Sequence, residues 1–134
     1  KICDFGLAYL YNSKHSSHFK SNLVITIWYR PIEILCGDTL YSFYIDIWSL
    51  AILFCEMFLK HAPFQGRNDF DQFRQIILAT GLPDNNNDKY FKKLPFYDEF
   101  VSNLNHESFN NQLKFNTQNL EKRLIKTDKY LMHK

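Results

Sequence analysis

Trp28-Tyr29-Arg30-Pro31-Ile32-Glu33 stands between two other short motifs, Asp4-Phe5-Gly6 before it and Asp46-Ile47-Trp48-Ser49 after it. The last of these motifs lies in the longest apolar run of the chain, Ile45 to Leu59, which is too short to span a membrane. A segment that is apolar on nearly all sides is typical of a helix at the centre of a helical lobe. The run therefore predicts a mainly α fold, with the helix Asp46 to Phe58 as the hub of its core.

A second long helix is indicated from Asp69 to Ala79. Asn68 or Asp69 can cap its first turn, and Gly81 followed by Pro83 is typical of a helix end. Four apolar side chains fall on one face of this helix, namely Phe70, Phe73, Ile76 and Ile77. The pattern predicts that this face is buried.

The remaining elements are short. Ile32 to Leu35 predicts one helical turn that stops near Gly37, and Lys1 to Cys3 reads as the end of a strand. The tail from Leu120 to Met132 favours a helix, whereas the aromatic-rich segment Tyr90 to Phe100 indicates no single structure.

Composition limits the classes of protein to which the chain can belong. Its 134 residues are 46% hydrophobic and 17% aromatic, which is enough for one globular core or part of one. The formal charge of +2 is small and the lysines are scattered, so we expect no nucleic-acid and no membrane partner. Three cysteines without close spacing argue against a disulfide framework or a metal-ligand pair, which favours an intracellular location, in the cytoplasm, the nucleus or both.

The three motifs, in this order, resemble the C-terminal half of a serine/threonine protein kinase of the CMGC group, which holds the cyclin-dependent and MAP kinases. The resemblance implies the large helical lobe of a eukaryotic protein-kinase fold, incomplete and starting at the Asp-Phe-Gly motif. Residues 1–134 would form a partial kinase domain. It would consist of an activation segment (1–33), core helices (34–83), a variable insert (84–119) and a terminal helix region (120–134).

Asp4-Phe5-Gly6 would then lie at the nucleotide. Asp4 would hold the Mg²⁺ that bridges the phosphates of ATP, since Mg²⁺ prefers carboxylate oxygen ligands. The resemblance further implies that Phe5 packs inward and that Gly6 allows the backbone to reverse.

The segment Val24 to Arg30 resembles the loop that docks the protein substrate. Thr26 matches a threonine that hydrogen-bonds the catalytic loop, and Trp28 and Arg30 match residues of the specificity pocket, where the arginine shapes a site for proline. The implied substrates are proteins with Ser-Pro or Thr-Pro. Without the resemblance, the alternation of Val24, Thr26 and Trp28 would also fit a half-buried strand.

Regulation would act between these motifs. Ser21 matches the position of the activating phosphorylated threonine of cyclin-dependent kinases, and Leu23 stands where MAP kinases carry a tyrosine. Tyr9 occupies a position where the family usually has an arginine, so a phosphate on Ser21 would have one fewer bidentate partner.

The resemblance gives structural roles to three residues, Glu33, Arg123 and Asp46. Glu33 keeps the carboxylate of the family's Ala-Pro-Glu motif, and Arg123 would pair with it; the alternative for Arg123 is an exposed charge cluster. Pro31 is shifted by one position and would restrain Arg30 to extended geometry. Asp46 would bind backbone amides of the catalytic loop, or else cap its own helix.

Several kinase parts are not found in these 134 residues: the glycine-rich phosphate loop, the nucleotide-pairing lysine with its glutamate, and the His-Arg-Asp catalytic loop. We therefore expect the chain alone to be inactive. Two readings stay open, a fragment of an active kinase that has a cyclin or another regulatory subunit as a possible partner, and a pseudokinase or remnant that serves as a protein-binding module. An in-frame His-Arg-Asp encoded upstream would favour the enzyme.

Overall fold

The computed structural model describes residues 1–8, 25–83 and 88–104. Five helices follow one another in this part of the chain, and no strand is present in it. The helices are α1 (Ile32–Leu35), α2 (Tyr44–Leu59), α3 (Asp69–Thr80), α4 (Asp88–Phe91) and α5 (Tyr97–Asn103), with single 3₁₀ turns at Phe5–Leu7 and Ile27–Tyr29. The mainly α prediction is therefore confirmed.

Helix α3 begins and ends as its sequence predicts. The side chain of Asn68 accepts a hydrogen bond from the backbone N–H of Asp71 at 2.8 Å, which satisfies one free donor of the first turn. Gly81 follows the helix with φ 82°, a left-handed conformation that glycine adopts without steric cost. Both ends are thus fixed by local chemistry.

The core is centred on α3. Its side chains Phe73, Ile76 and Ile77 are at most 1% exposed, and they pack with Leu35 from α1 and Tyr97 from α5. Aromatic rings join α5 to α3 further, since the ring of Phe73 lies 6.2 Å from that of Tyr97, edge to face. Burial of these apolar faces against each other is what holds the short helices in place.

The expectation that Asp46 to Phe58 is the hub of the core is wrong for the described residues. Only Ile45 and Ile52 of α2 are buried. The helix contacts the turn Ile27–Tyr29, its Ile45 packs with Ile34 of α1, and its Trp48 packs against the cluster around α3. Most of its other apolar side chains are not covered by a described element. Eight large apolar side chains are therefore exposed, namely Tyr44, Ile47, Leu50, Leu53, Phe54, Met57, Phe58 and Leu59.

The segment Tyr90 to Phe100, for which the sequence indicated no single structure, holds the end of α4, the turns after it and the start of α5. It returns to α1 because the N–H of Phe96 donates to the carbonyl of Cys36 at 3.1 Å. The hydroxyl of Tyr90 also donates to Asp38 Oδ2 at 2.5 Å. These contacts place the start of the predicted insert against the end of α1.

Two expectations about strands do not hold. Residues 1–4 have no regular structure and are exposed, because a strand needs a hydrogen-bonded neighbour and no described residue supplies one. The alternating stretch up to Trp28 contains a 3₁₀ turn at Ile27–Tyr29. The predicted helix at 120–132 lies outside the described residues.

In the described part of the chain, no helix combines the length and the apolarity that crossing a membrane would require.

Exposure of α2 leads to a prediction about the 134-residue chain by itself. We expect it to self-associate, because a contiguous apolar surface of this kind drives association in water. Replacing Phe54 and Phe58 with lysine should raise the soluble monomeric fraction, measured by size-exclusion chromatography. The matched control is Leu40→Lys, which changes a 55% exposed apolar residue outside α2 and should have little effect. A soluble wild-type monomer with a cooperative thermal transition would contradict the prediction.

Candidate functional site

The loop that precedes α1 contains an unusual backbone conformation. Ile25 has φ 66°, in the left-handed region, where a β-branched residue is an outlier. Its carbonyl accepts a hydrogen bond from Arg30 Nη2 at 3.0 Å. Such a conformation costs on the order of 1–3 kcal/mol and persists only where its surroundings fix it, as this bond to a charged donor does.

Arg30 also connects the loop to α3. Nη1 of Arg30 forms a salt bridge with Asp69 Oδ1 at 2.9 Å, and the side chain of Arg30 is only 12% exposed. The backbone of Arg30 is extended, with φ −80° and ψ 127°, as predicted from the restriction that Pro31 places on the residue before it. The shifted proline therefore leaves Arg30 in contact with the loop.

Trp28 connects the same loop to α3 through a closed set of hydrogen bonds. Its indole Nε1 donates to the carbonyl of Gly66 at 3.2 Å. The fully buried Gln72 completes the set, because its Nε2 donates to the carbonyl of Trp28 at 3.2 Å and its Oε1 accepts from the N–H of Gly66 at 2.7 Å. A Cβ on Gly66 would lie 2.4 Å from the backbone N of Gln72, so this approach requires glycine.

Tyr29 connects the loop to α2. Its hydroxyl donates to Glu56 Oε2 at 2.6 Å, and its carbonyl accepts from Ser49 Oγ at 3.1 Å. The bond to the Glu56 carboxylate raises the pKa of Tyr29, because deprotonation would remove the donor. The loop is thus tied to both long helices.

Sequence reasoning missed the partners in these contacts. Asp69, Gln72, Gly66 and Glu56 were assigned no role at the loop, and nothing in their spacing pairs them with residues some 27 to 44 positions away. One signal was available, since a glutamine on the apolar face of α3 is a polar residue at a buried position and requires partners there.

Asp4-Phe5-Gly6 lies in an exposed segment and takes no part in these hydrogen bonds. Phe5 is 69% exposed, so the expectation that it packs inward is wrong here; no described residue covers it. The left-handed residue is Asp4, with φ 61°, and not Gly6. The carboxylate of Asp4 is at the surface, where it is open to a ligand.

Two predicted residues are seen without the partners that the resemblance implies. Thr26 is exposed just before the 3₁₀ turn, and its carbonyl accepts from the N–H of Tyr29 at 2.9 Å. Asp46 is exposed in the first turn of α2, but Phe43 precedes the helix and no side chain caps it, so the capping alternative for Asp46 is wrong. Their roles toward a catalytic loop stay predictions.

Glu33 in α1 is partly buried. Burial raises the pKa of its carboxyl, and repulsion from the nearby Asp38 adds to the rise. An ionised carboxylate in this position is disfavoured unless a cation lies beside it. The predicted partner Arg123 and the predicted phosphosite Ser21 both lie outside the described residues.

The buried glutamine gives a prediction about stability. In the full-length protein, Gln72→Leu should lower the free energy of unfolding by about 1–3 kcal/mol, because it leaves the Gly66 N–H and the Trp28 carbonyl without their partner. Urea unfolding would measure this, with indole fluorescence reporting on the loop.

Gln75→Leu is the matched control for that experiment. Gln75 also lies on α3 and also accepts a backbone N–H, from Gln65 at 2.9 Å, but this bond is exposed. Its loss should cost well under 1 kcal/mol, since water can replace the acceptor. Equal losses for the two variants would contradict the role given to Gln72.

A second prediction concerns Glu33 and Arg123 in the full-length protein. Removing either should cost on the order of 3 kcal/mol by leaving the other charge partly buried and unpaired. The double variant should cost less than the sum of the two. Additive losses in the double-mutant cycle would show that the two side chains do not meet.

Comparison with known proteins agrees with this arrangement. The family model described as protein kinase domain matches residues 1–129. The chain is 37% identical over 100 residues to cyclin-dependent kinase C-1 of Oryza sativa subsp. japonica, which covers 75% of the chain and 19% of that relative. It is 40% identical over 98 residues to CTD kinase subunit alpha of Schizosaccharomyces pombe, covering 73% of the chain and 16% of the relative.

Solved structures give the same result. A chain of the yeast RNA Pol II CTD kinase CTDK-1 complex superposes with a TM-score of 0.68 at 36% identity, over 78% of this chain and 33% of that one. A chain of the CAK complex from Chaetomium thermophilum bound to ATP-gamma-S gives 0.56 at 33% identity, over 59% and 24%. The chain thus spans about a fifth of the length of its curated relatives. It belongs to the protein kinase domain family and corresponds to part of the helical lobe of a cyclin-dependent-kinase-like, CMGC-group kinase.

Proposed function

We propose that this chain is part of a proline-directed serine/threonine protein kinase, which transfers the γ-phosphate of ATP to Ser-Pro or Thr-Pro in proteins. One observation carries the proposal. The carbonyl of Ile25 is turned by a left-handed backbone toward Arg30 and accepts from its guanidinium at 3.0 Å. The carbonyl of Ile25 therefore already has a hydrogen-bond donor when a substrate docks on the loop.

Proline after the acceptor residue would suit such a loop for a simple reason. Every other residue brings a backbone N–H, and that donor would be buried without an acceptor, whereas proline has none. Burying an unpaired donor costs about 1–3 kcal/mol, which corresponds to a preference of roughly fivefold to a hundredfold.

Asp4 supports the phosphoryl-transfer part of the proposal. Mg²⁺ usually keeps several waters and takes only one or two protein carboxylates together with substrate phosphates, so a single exposed carboxylate suits it. Asp4 would hold the ion, with Phe5 and Gly6 beside the nucleotide. When bound, Mg²⁺ neutralises charge that develops on the phosphates.

Partners and location belong to the same proposal. Both solved neighbours belong to complexes, the CTD kinase CTDK-1 complex and the CAK complex, which supports a cyclin or another regulatory subunit as partner of the full-length protein. The free cysteines Cys3, Cys36 and Cys55 suit a reducing compartment, in the cytoplasm or nucleus. Ser21 remains the proposed regulatory phosphosite. Tyr9 stands where the family usually has an arginine that would pair with the phosphate.

The test is a peptide assay with the full-length protein and its regulatory subunit. We expect the rate with proline after the acceptor to exceed the rate with alanine by at least about fivefold, for the reason given above. The 134-residue chain alone is the negative control, because it has no His-Arg-Asp sequence to supply the catalytic base. Equal rates with proline and alanine would overturn proline direction. Absence of metal-dependent phosphorylation by the full-length protein would instead favour a pseudokinase that acts as a binding module.

A further inference from the structure

We infer that Asp69, the first residue of α3, is a positioning residue that sets the selectivity for proline by fixing the guanidinium of Arg30. The inference rests on the proposed function and extends it to a second residue. Asp69 would touch neither substrate nor nucleotide and would act only through Arg30.

The geometry around Arg30 supports this role. Its guanidinium is planar, with Nη1 bonded to Asp69 Oδ1 at 2.9 Å and Nη2 bonded to the carbonyl of Ile25 at 3.0 Å. Because both nitrogens belong to one rigid fork, fixing the first also fixes the direction of the second. Asp69 thereby determines whether Nη2 stays on the carbonyl of Ile25.

Helix α3 does not need the Asp69 side chain for its own capping. That function belongs to Asn68, whose side chain accepts from the N–H of Asp71. Asp69 instead points its carboxylate at Arg30 across 39 residues of sequence. Its place in the first turn stabilises the negative charge, which favours the ion pair.

Selectivity would change if the bridge were removed. Without the bridge, the guanidinium loses the contact that fixes Nη1, so Nη2 can turn away from Ile25 and leave that carbonyl open to the N–H of a residue other than proline. The carboxylate of Asp69 is 45% exposed, so water can take its place with little disturbance to the fold. Loss of Asp69 should therefore alter substrate choice much more than phosphoryl transfer.

The experiment compares kcat/KM for two peptides that differ only in proline or alanine after the acceptor, using the full-length kinase with its regulatory subunit. Asp69→Ala and Asp69→Asn should lower the proline-to-alanine ratio by about threefold to tenfold, through a gain with the alanine peptide. Asp69→Glu keeps the charge and should retain most of the ratio.

Asp71→Asn is the matched control. Asp71 is the other carboxylate in the first turn of α3 and also pairs with an arginine, at 3.3 Å, but this is Arg67 in the turn just before the helix. This variant should leave the ratio unchanged. A purely structural role for Asp69 would lower kcat/KM for both peptides by the same factor, and that result would overturn the inference.

The outcomes separate the inference from the proposed function. A wild-type ratio near one would overturn proline direction, and the inference with it. A wild-type preference that persists in Asp69→Ala and Asp69→Asn would overturn the inference alone.

Discussion

The fully buried Gln72 is the constraint on which the rest of this structure depends. A polar side chain inside an apolar core is tolerated only when its hydrogen bonds are made, and here the partners are the carbonyl of Trp28 and the N–H of Gly66. Both partners lie outside α3, so satisfying the glutamine brings the loop that precedes α1 and the turn at Gly66 onto the helix. Apolar burial supplies most of the stabilisation, but it is non-directional and could not by itself define where the loop lies.

The strained backbone of the loop before α1 also depends on a hydrogen bond to a distant part of the chain's sequence. Ile25 adopts a left-handed conformation that its branched side chain disfavours, and the bond from Arg30 to its carbonyl holds it there. Arg30 is in turn fixed by the extended backbone before Pro31 and by its salt bridge to α3. The conformation proposed to select proline therefore depends on a helix that begins 39 residues later.

Helix α2 shows that the burial of an apolar helix depends on the elements around it. Its sequence is apolar on nearly all sides, yet within the described residues only Ile45 and Ile52 are buried. An apolar sequence shows which side chains a helix can bury. Their actual burial requires other elements that cover each face of the helix. The expectation of a central helix was drawn from the sequence of α2 alone, and the described elements cover only part of its surface, at Ile45, Trp48 and Ile52.

Local chemistry was enough for the sequence to determine much of this protein. The cap at Asn68, the stop at Gly81, the turn Ile32–Leu35 and the extended backbone before Pro31 each depend on residues a few positions apart, and the structure agrees with all four. The order of the three motifs likewise identified the family. The tertiary structure alone decided which distant residues meet, because hydrogen-bond partners separated by some 27 to 44 positions leave no periodic signal. It also decided that Phe5 is exposed and that α3, not α2, lies at the centre of the described core, since burial is a property of neighbours and not of a residue's own chemistry.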